Sequence, residues 1–277
     1  MKAKTILKEN QTQSEKIHKA NIAVHKVEAS YYELFHPEVY NKQEQKRIAL
    51  ILKKATENIT NNRKKALDFG AGTGNLTGKL LELGYEVTAV DISPEMCQIL
   101  QQKYRKYIQT KKLRIINSPI EDVEFKDEKF DLITSYSVLH HLPDYAESIQ
   151  KLCSFLKKGG IIYLDHEASP YYWKAEPKML TALIKGTYFH SNPIINSLYF
   201  RLVGLNIPSV DYAESDYWHK KEHSLDHRKI QAVFEKEEFE EFKRTDYHQK
   251  ETWIFNPIYP LFTLMCRKET SCWIAKK

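Results

Sequence analysis

Apolar residues recur at helical spacing along the first sixty residues of the chain. They run through SEKIHKANIAVHKVEASYYELF (14–35) and again through EVYNKQEQKRIALILKKATENI (38–59). This spacing places the apolar side chains on one face of a helix. Pro37 separates the two runs, and proline interrupts a helix because it lacks a backbone N–H. The pattern therefore predicts two N-terminal helices that break near Pro37.

From Lys65 onward, short apolar strands alternate with helices. Strands are predicted at 65–69, 85–90, 113–117, 129–135 and 160–165, and helices at 74–83, 93–108 and 143–157. Such alternation is typical of a parallel sheet that is covered by helices on both faces. A helix at 227–237 and strands at 239–247 and 259–268 lie near the C-terminus. The predicted fold class is α/β, with a doubly wound, Rossmann-like, seven-stranded and mostly parallel sheet.

The alternation stops after Asp165. Residues 168–226 contain no clear strand, and ten aromatic residues fall between Tyr171 and Trp218. Aromatic walls are typical of small-molecule pockets, and an accessory hydrophobic core is the alternative. The apolar stretch 192–208 also suggests a lipid-like acceptor or peripheral contact with a membrane surface. We expect a helical extension at 1–62, a core formed by 63–167 and 227–277, and an inserted helical substrate lid at 168–226.

Composition and charge exclude several classes of protein. The 277 residues are 42% apolar, and no apolar run approaches the roughly 18 residues that a membrane-spanning helix needs. The N-terminus has no apolar secretory segment, and the four cysteines form no C-x-x-C pair, so a cytoplasmic protein is expected. The net charge of +6 is concentrated in residues 1–66, which hold 14 Lys and Arg against seven Asp and Glu. Because acidic residues are interleaved there, a solvated helix face is favoured over a nucleic-acid surface.

The stretch ALDFGAGTGN (66–75) holds glycines at alternate positions, Gly70, Gly72 and Gly74, directly after a predicted strand. In doubly wound sheets, the first strand–helix turn touches the ligand. A dinucleotide fingerprint needs a third glycine at position i+5, which is Asn75 here. A phosphate-binding loop would end in Gly-Lys-Ser or Gly-Lys-Thr, and this loop ends in Asn75-Leu76-Thr77. The loop therefore fits neither of these phosphate-binding motifs.

The string Asp68-x-Gly70-x-Gly72-x-Gly74 instead resembles the first motif of the class I S-adenosylmethionine-dependent methyltransferases. The segments 91–96, 117–125, 130–144 and 156–165 resemble the family's later motifs, as in its small-molecule and ubiquinone–menaquinone methyltransferase branch. The resemblance implies S-adenosylmethionine as cofactor, with Asp91 on the ribose hydroxyls, Met96 on the adenine face and the Ile120 backbone on the adenine edge. It further implies cofactor contacts from Asp68 (at the ammonium end, through backbone or water), Gly70, Ala71, Gly72, Gly74, Asn75, Ile92, Glu121 and Ser135.

The residues after the fourth predicted strand narrow the class of acceptor. Ser135-Tyr136-Ser137-Val138 is not the D/N/S-P-P-Y/F motif of enzymes that methylate base amines, and no spacing predicts a metal site. Histidine suits proton removal near neutral pH. The resemblance implies His140 as the base, with Asp165 or His166 as its partner. The alternative is that His140 and His141 are structural, with one of them capping the helix that begins near Pro143, and the structural interpretation is favoured for His141.

The sequence thus predicts an S-adenosylmethionine-dependent methyltransferase that acts on a small, partly apolar or lipid-like molecule. O-methylation is favoured, and N- or C-methylation stays open. The partner is expected to be a small molecule and not a nucleic acid. Two alternatives remain: an RNA methyltransferase, suggested by the basic N-terminal residues, and a non-catalytic module that binds the cofactor.

Overall fold

A seven-stranded sheet forms the centre of the computed structural model, which describes residues 12–60, 63–170, 211–220, 225–248 and 270–277. The strand order is β3-β2-β1-β4-β5-β7-β6. Six strands run in the same direction, and β7 runs opposite to them. The predicted fold class is confirmed. The strands are β1 (Lys65–Phe69), β2 (Glu86–Asp91), β3 (Leu113–Asn117), β4 (Phe130–Tyr136), β5 (Leu156–Ala168), β6 (Glu241–Tyr247) and β7 (Thr270–Lys276).

The sheet order explains where a ligand can bind. The chain moves outward from β1 through β2 to β3, then returns to place β4 on the other side of β1. This reversal leaves a crevice beyond the carboxyl ends of β1 and β4, where ligands bind in doubly wound sheets. β1 and β4 are buried over almost their whole length, so their ends are held rigidly by the core.

Helices cover the sheet, and two of them begin at the capping residues Ser93 and Asp144. Ser93 caps one helix by accepting a hydrogen bond from the Met96 N–H, and Pro94 is its first residue. Asp144 caps another through the Ala146 and Glu147 N–H groups. The helices of this part are α5 (Asn75–Glu82), α6 (Pro94–Lys103), α7 (Arg105–Gln109), α8 (Tyr145–Phe155), α9 (Tyr212–Ser215), α10 (Tyr217–Lys220) and α11 (His227–Lys236).

The N-terminal extension is helical, as predicted, and lies against the core. It comprises α1 (Gln13–Glu28), a single 3₁₀ turn, α2 (Tyr32–Phe35), α3 (Pro37–Tyr40) and α4 (Lys42–Ala55). The break falls at His36, directly before the proline. Ile48 and Leu52 of α4 are fully buried in one cluster with Tyr136 of β4 and Tyr163 of β5.

Three predictions differ from the structure or fall outside the part that it describes. Helix α8 ends at Phe155 and β5 already begins at Leu156, because Leu156 pairs with Phe130 and the later strand residues pair with β7. The strand Thr270–Lys276 was not predicted, since Thr, Ser and Lys obscure its apolar pattern. The predicted strand at 259–268 and most of the predicted lid lie outside the described residues. No described helix is long and apolar enough to cross a membrane.

Candidate active site

The glycine loop comes directly after β1, at the reversal point of the sheet. The Gly70 and Ala71 N–H groups both donate to the Val90 carbonyl, at 2.9 and 3.0 Å, which fastens the loop to the end of β2. Gly70 and Gly72 have φ of +66° and +53°, in the left-handed region that favours glycine. A Cβ at Gly70 would lie 2.3 Å from a methyl carbon of Val138, whereas a Cβ at Gly72 would meet no atom within 4 Å. Gly72 therefore has open space in front of it.

Asp91 lies opposite this open space, at the end of β2. Its Oδ2 accepts from the Gly72 N–H at 2.7 Å, and its Oδ1 accepts from the Ser93 N–H at 2.8 Å. Burial raises the pKa of this carboxyl. Each carboxylate oxygen keeps a further lone pair for another donor. The Asn117 amide donates to the Asp91 and Ile92 carbonyls, both at 2.9 Å, and so fixes the turn that presents the carboxylate.

A pocket extends from the glycine loop across the ends of β2 and β4. Its floor and sides are formed by Phe69, Gly70, Gly72, Asp91, Ile92, Met96, the segment 118–121 and the segment 136–138. Its roof comes from the N-terminal extension and is formed by His18, Asn21, His25 and Tyr32. His18 Nε2 lies 3.6 Å from Glu121 Oε2, so α1 closes one end of the pocket. The pocket is therefore shared between the core and the extension.

Two adjacent histidines after β4 have different surroundings. His141 lines the pocket, and its Nδ1 lies 2.7 Å from the Ser215 carbonyl. Burial lowers the pKa of His141. His140 is buried outside the pocket, and its Nδ1 lies 2.7 Å from Glu167 Oε2. The other oxygen of Glu167 accepts from the Val138 and Leu139 N–H groups, at 2.8 Å each.

Comparison with known proteins identifies the domain that carries this pocket. Residues 67–164, which include the glycine loop, Asp91 and both histidines, match the methyltransferase domain family. The chain carries a class I S-adenosylmethionine-dependent methyltransferase domain. The resemblance that the sequence predicted is confirmed, and S-adenosylmethionine is the methyl donor of this family.

Individual relatives of the methyltransferase domain are distant. The demethylmenaquinone methyltransferase of Chlorobaculum tepidum is 26% identical over 149 residues, which cover 49% of this chain and 59% of that protein. The ubiquinone biosynthesis O-methyltransferase of Xanthomonas campestris pv. campestris is 31% identical over 101 residues, 36% of this chain and 41% of that protein. The chain spans about half the length of the curated relatives it matches.

The likeness in fold extends further than the likeness in sequence. The structure of magnesium protoporphyrin IX methyltransferase from Synechocystis PCC 6803 with bound S-adenosylmethionine has a TM-score of 0.54 to this chain at 13% identity. The match covers 93% of this chain and 97% of that chain. At this identity the comparison shows a shared fold.

Seven of the residues predicted to bind the cofactor line one pocket of the methyltransferase domain. The structure brings together Gly70, Gly72, Asp91, Ile92, Met96, Ile120 and Glu121. These residues are suited to S-adenosylmethionine. The open side of Gly72 leaves room for a ligand where a side chain would intrude, and the carboxylate of Asp91 can accept from two neighbouring hydroxyls. Their contacts with the cofactor stay predictions.

The other five predicted cofactor residues lie outside the lining of this pocket. The buried carboxylate of Asp68 accepts from the hydroxyls of Thr77 and Thr134, and burial raises its pKa to about 6. The other four residues make contacts within the protein itself. Ala71 donates to Val90, Gly74 packs on Leu100 and Tyr104, Asn75 accepts from Gln45 and Lys79, and Ser135 is buried in β4.

The predicted catalytic group is not assembled in the way that the sequence suggested. The carboxylate partner of His140 is Glu167, and neither Asp165 nor His166 lines the pocket. The fully buried carboxylate of Asp165 accepts instead from Arg47 of α4 at 2.6 Å and from the Tyr163 hydroxyl. These contacts tie the extension to β5.

The remaining histidine assignments also need correction. The ring of His166 stacks on Tyr136, with centroids 4.7 Å apart, and burial lowers its pKa. Neither His140 nor His141 caps the helix that follows, because Asp144 is its N-cap, and His141 lines the pocket. Within the described residues, no group of His, Cys, Asp and Glu could hold a metal ion.

Sequence reasoning missed the residues that support the site from a distance. Asn117, Glu167 and the roof residues Asn21 and His25 were not predicted. Asn117 carried a usable signal, since it is the last residue of β3 and lies at the ligand edge of the sheet. The sequence contains no comparable signal for Glu167 and the roof residues, because their partners are distant along the chain.

Proposed function

We propose that this protein transfers a methyl group from S-adenosylmethionine to a small, partly apolar acceptor, with a hydroxyl oxygen favoured as the methylated atom. The observation that carries the proposal is the pocket in which the open side of Gly72, the carboxylate of Asp91 and the imidazole of His141 come together. A cofactor cradle and a titratable side chain in one cavity are what methyl transfer to a protonated acceptor requires.

Each wall of the pocket has a role in this proposal. In it Asp91 holds the ribose hydroxyls, the side chain of Met96 packs on the adenine face and the backbone of Ile120 contacts the adenine edge; all three residues line the pocket. Gly72 lets the backbone approach the methionine portion without a side chain in between, while the missing side chain of Gly70 makes room for Val138. When bound, S-adenosylmethionine supplies an electrophilic methyl group on a sulfonium, which is already activated. The protein therefore has to align the acceptor and to accept its proton where it carries one.

The roof of the pocket favours a small molecule over RNA. Helix α1 and Tyr32 cover the site directly, so a base carried by a folded RNA would have to displace them. The extension that forms the roof also mixes acidic with basic residues, as in the salt bridge between Arg47 and Glu44 at 2.6 Å. Two relatives are named for quinone-type molecules, demethylmenaquinone and ubiquinone, which suggests an acceptor with an aromatic ring and an apolar tail.

Binding and turnover can be tested separately. By calorimetry we expect S-adenosylmethionine and S-adenosylhomocysteine to bind with Kd values on the order of micromolar, and NAD not to bind. Incubation of a cell extract with methyl-labelled S-adenosylmethionine, with and without the protein, should then yield one labelled small molecule by mass spectrometry. Binding of NAD in place of S-adenosylmethionine would overturn the proposal.

The two alternatives give other results in the same experiments. Label in RNA, together with RNA binding that weakens steeply with salt, would favour the RNA methyltransferase. Tight cofactor binding with no labelled product from any extract fraction would favour a non-catalytic module.

A further inference from the structure

The imidazole of His141 is held in one protonation pattern. Its Nδ1 lies 2.7 Å from the backbone carbonyl of Ser215. Because a carbonyl oxygen can only accept, Nδ1 must carry the hydrogen. Burial lowers the pKa of His141, so the ring is neutral near pH 7 and its Nε2 carries a lone pair. A pocket-lining imidazole with a bare Nε2 is equipped to take up a proton.

Three separate segments of the chain build this arrangement. The Asn21 amide of α1 donates to the His141 carbonyl at 2.8 Å, and its oxygen accepts from the Ser215 hydroxyl at 2.7 Å. Asn21 and Ser215 are 3% and 1% exposed, so water does not compete for these bonds. The ring of His25, also on α1, lies edge-on to His141 with centroids 5.7 Å apart. Asn21 and Ser215 lie outside the 67–164 segment that matches the methyltransferase family.

We propose that His141 is the general base for a hydroxyl acceptor, and that Asn21 and Ser215 are the residues that position it. This inference rests on the proposed function. The acceptor oxygen forms a bond to the methyl carbon while the carbon–sulfur bond breaks with its electron pair going to sulfur. The hydroxyl proton goes to Nε2 of His141 and is released to solvent after the products leave.

Other histidines near the site are less suited to this role. Nδ1 of His140 lies 2.7 Å from Glu167 Oε2, a contact that orients the ring as Ser215 orients His141, but the ring of His140 does not line the pocket. His166 stacks on Tyr136, and its Nδ1 lies 3.2 Å from the Ser137 hydroxyl. His25 lines the pocket and its Nδ1 has no hydrogen-bond partner among the described residues, so it is the rival that the experiment has to separate.

The charges around His141 set the direction of its pH dependence. His25 faces it from α1, Asp216 from the segment after α9, Glu167 from β5 and Asp91 from β2, with His140 beside it in the chain. Desolvation outweighs the carboxylates and holds the pKa of His141 below its usual value. We therefore expect kcat to fall only at a pH below the ordinary titration range of histidine, because the base is lost on protonation.

The first test needs no turnover. In protein with ¹⁵N-labelled histidine, the His141 signals are assigned by their disappearance in His141→Gln. NMR should show Nδ1 protonated and Nε2 bare near pH 7, in the free protein and with S-adenosylhomocysteine bound. A hydrogen on Nε2 of His141 would overturn the proposal.

The second test measures methylation of catechols and hydroquinones that carry short prenyl tails. His141→Gln should lower kcat by about 10²–10⁴-fold and remove the acid limb of its pH profile, while the Kd of S-adenosylhomocysteine changes less than about threefold. His140→Gln and His25→Gln are the matched controls, and both should retain the acid limb. If one control variant lost the acid limb while His141→Gln kept both its kcat and its acid limb, the histidine replaced in that control would be the base and the proposal would be refuted.

The positioning residues have a readout of their own. Asn21→Ala should lower kcat by about tenfold and move the acid limb, because the backbone and ring of His141 are no longer held. An unchanged pH profile in Asn21→Ala would show that its hydrogen bonds are merely structural. Wild-type protein that fails to bind S-adenosylhomocysteine refutes the proposed function itself. Wild-type protein that binds it but methylates none of the hydroxyl probes refutes only the base.

Discussion

Replacing Gly72 by alanine tests the cofactor cradle most directly. The glycine has φ of +53°, and a Cβ built on it meets no atom within 4 Å. Alanine therefore encounters no steric clash in the protein, and its cost to folding comes from the left-handed backbone alone. That cost is about 1–2 kcal/mol. In front of the new methyl group lies the space that we assign to the methionine portion of the cofactor.

Gly84 offers a control with the same backbone cost and no ligand nearby. It has φ of +85°, also meets no atom within 4 Å, and does not line the pocket. Both alanine variants should lower the free energy of unfolding by about 1–2 kcal/mol, or the melting temperature by a few degrees. Gly70→Ala should cost about 1–3 kcal/mol more, because its Cβ falls 2.3 Å from Val138 and overpacks the turn.

The assay compares melting temperature with the Kd of S-adenosylhomocysteine for each variant. Gly72→Ala should weaken binding at least about tenfold, equivalent to about 1.4 kcal/mol, while Gly84→Ala binds as the wild type does. The two variants then match in stability and differ in affinity. Equal affinities would refute the placement of the cofactor against Gly72.

Three further predictions address stability and charge. Asp91→Ala should lower the free energy of unfolding of the cofactor-free protein by at least about 3 kcal/mol in urea titrations, because it removes the acceptor of the Gly72 and Ser93 N–H groups; unchanged stability would contradict this. Burial raises the pKa of Asp68 to about 6, above its unfolded value of 3.8. The folded state therefore binds more protons, and this group's contribution to stability falls as pH rises from about 4 to about 6. The free energy of unfolding of Asp68→Asn should therefore exceed that of the wild type by up to about 3 kcal/mol at about pH 7.5 and by little at about pH 4. An equal difference at both pH values would refute the direction of this pH dependence. Arg47→Met should cost about 3–5 kcal/mol by leaving a buried carboxylate without its cation, and a melting temperature equal to that of the wild type would refute it.

The residues proposed to hold the cofactor line one pocket, and this convergence could be predicted from the sequence because they are close together along the chain. Gly70, Gly72, Asp91 and Met96 lie within 27 consecutive residues, and one strand–loop–helix unit and the next bring them together. The spacing of such a unit is set by strand and helix geometry, so positions along the chain translate directly into positions in space. The regular register of β1 with β2, in which Asp68 pairs with Ala89, fixes the position of the end of one strand relative to the end of the other.

The surroundings of the proposed base, His141, could not be predicted because its partners are distant in sequence. Asn21 and the loop at His141 are 120 residues apart, and Ser215 is 74 residues beyond that loop. Helical periodicity shows that α1 has an apolar face but not which part of the core this face covers. The same limit led to the wrong partner for His140, since Asp165 and Glu167 are only two residues apart on β5 and point to different surroundings.

The role that Asp165 does have explains how an N-terminal helix can form part of the site. Arg47 of α4 reaches both Asp165 and Glu44 at 2.6 Å, and its guanidinium lies 3.9 Å from the ring centre of Tyr247. Because Asp165 is completely buried, α4 cannot leave the sheet without exposing or stranding that charge. The anchored α4 in turn fixes the chain that leads back to α1, whose Asn21 and His25 lie in the roof. The carboxylate that the sequence pattern suggested for proton transfer thus acts on the pocket by holding its roof in place.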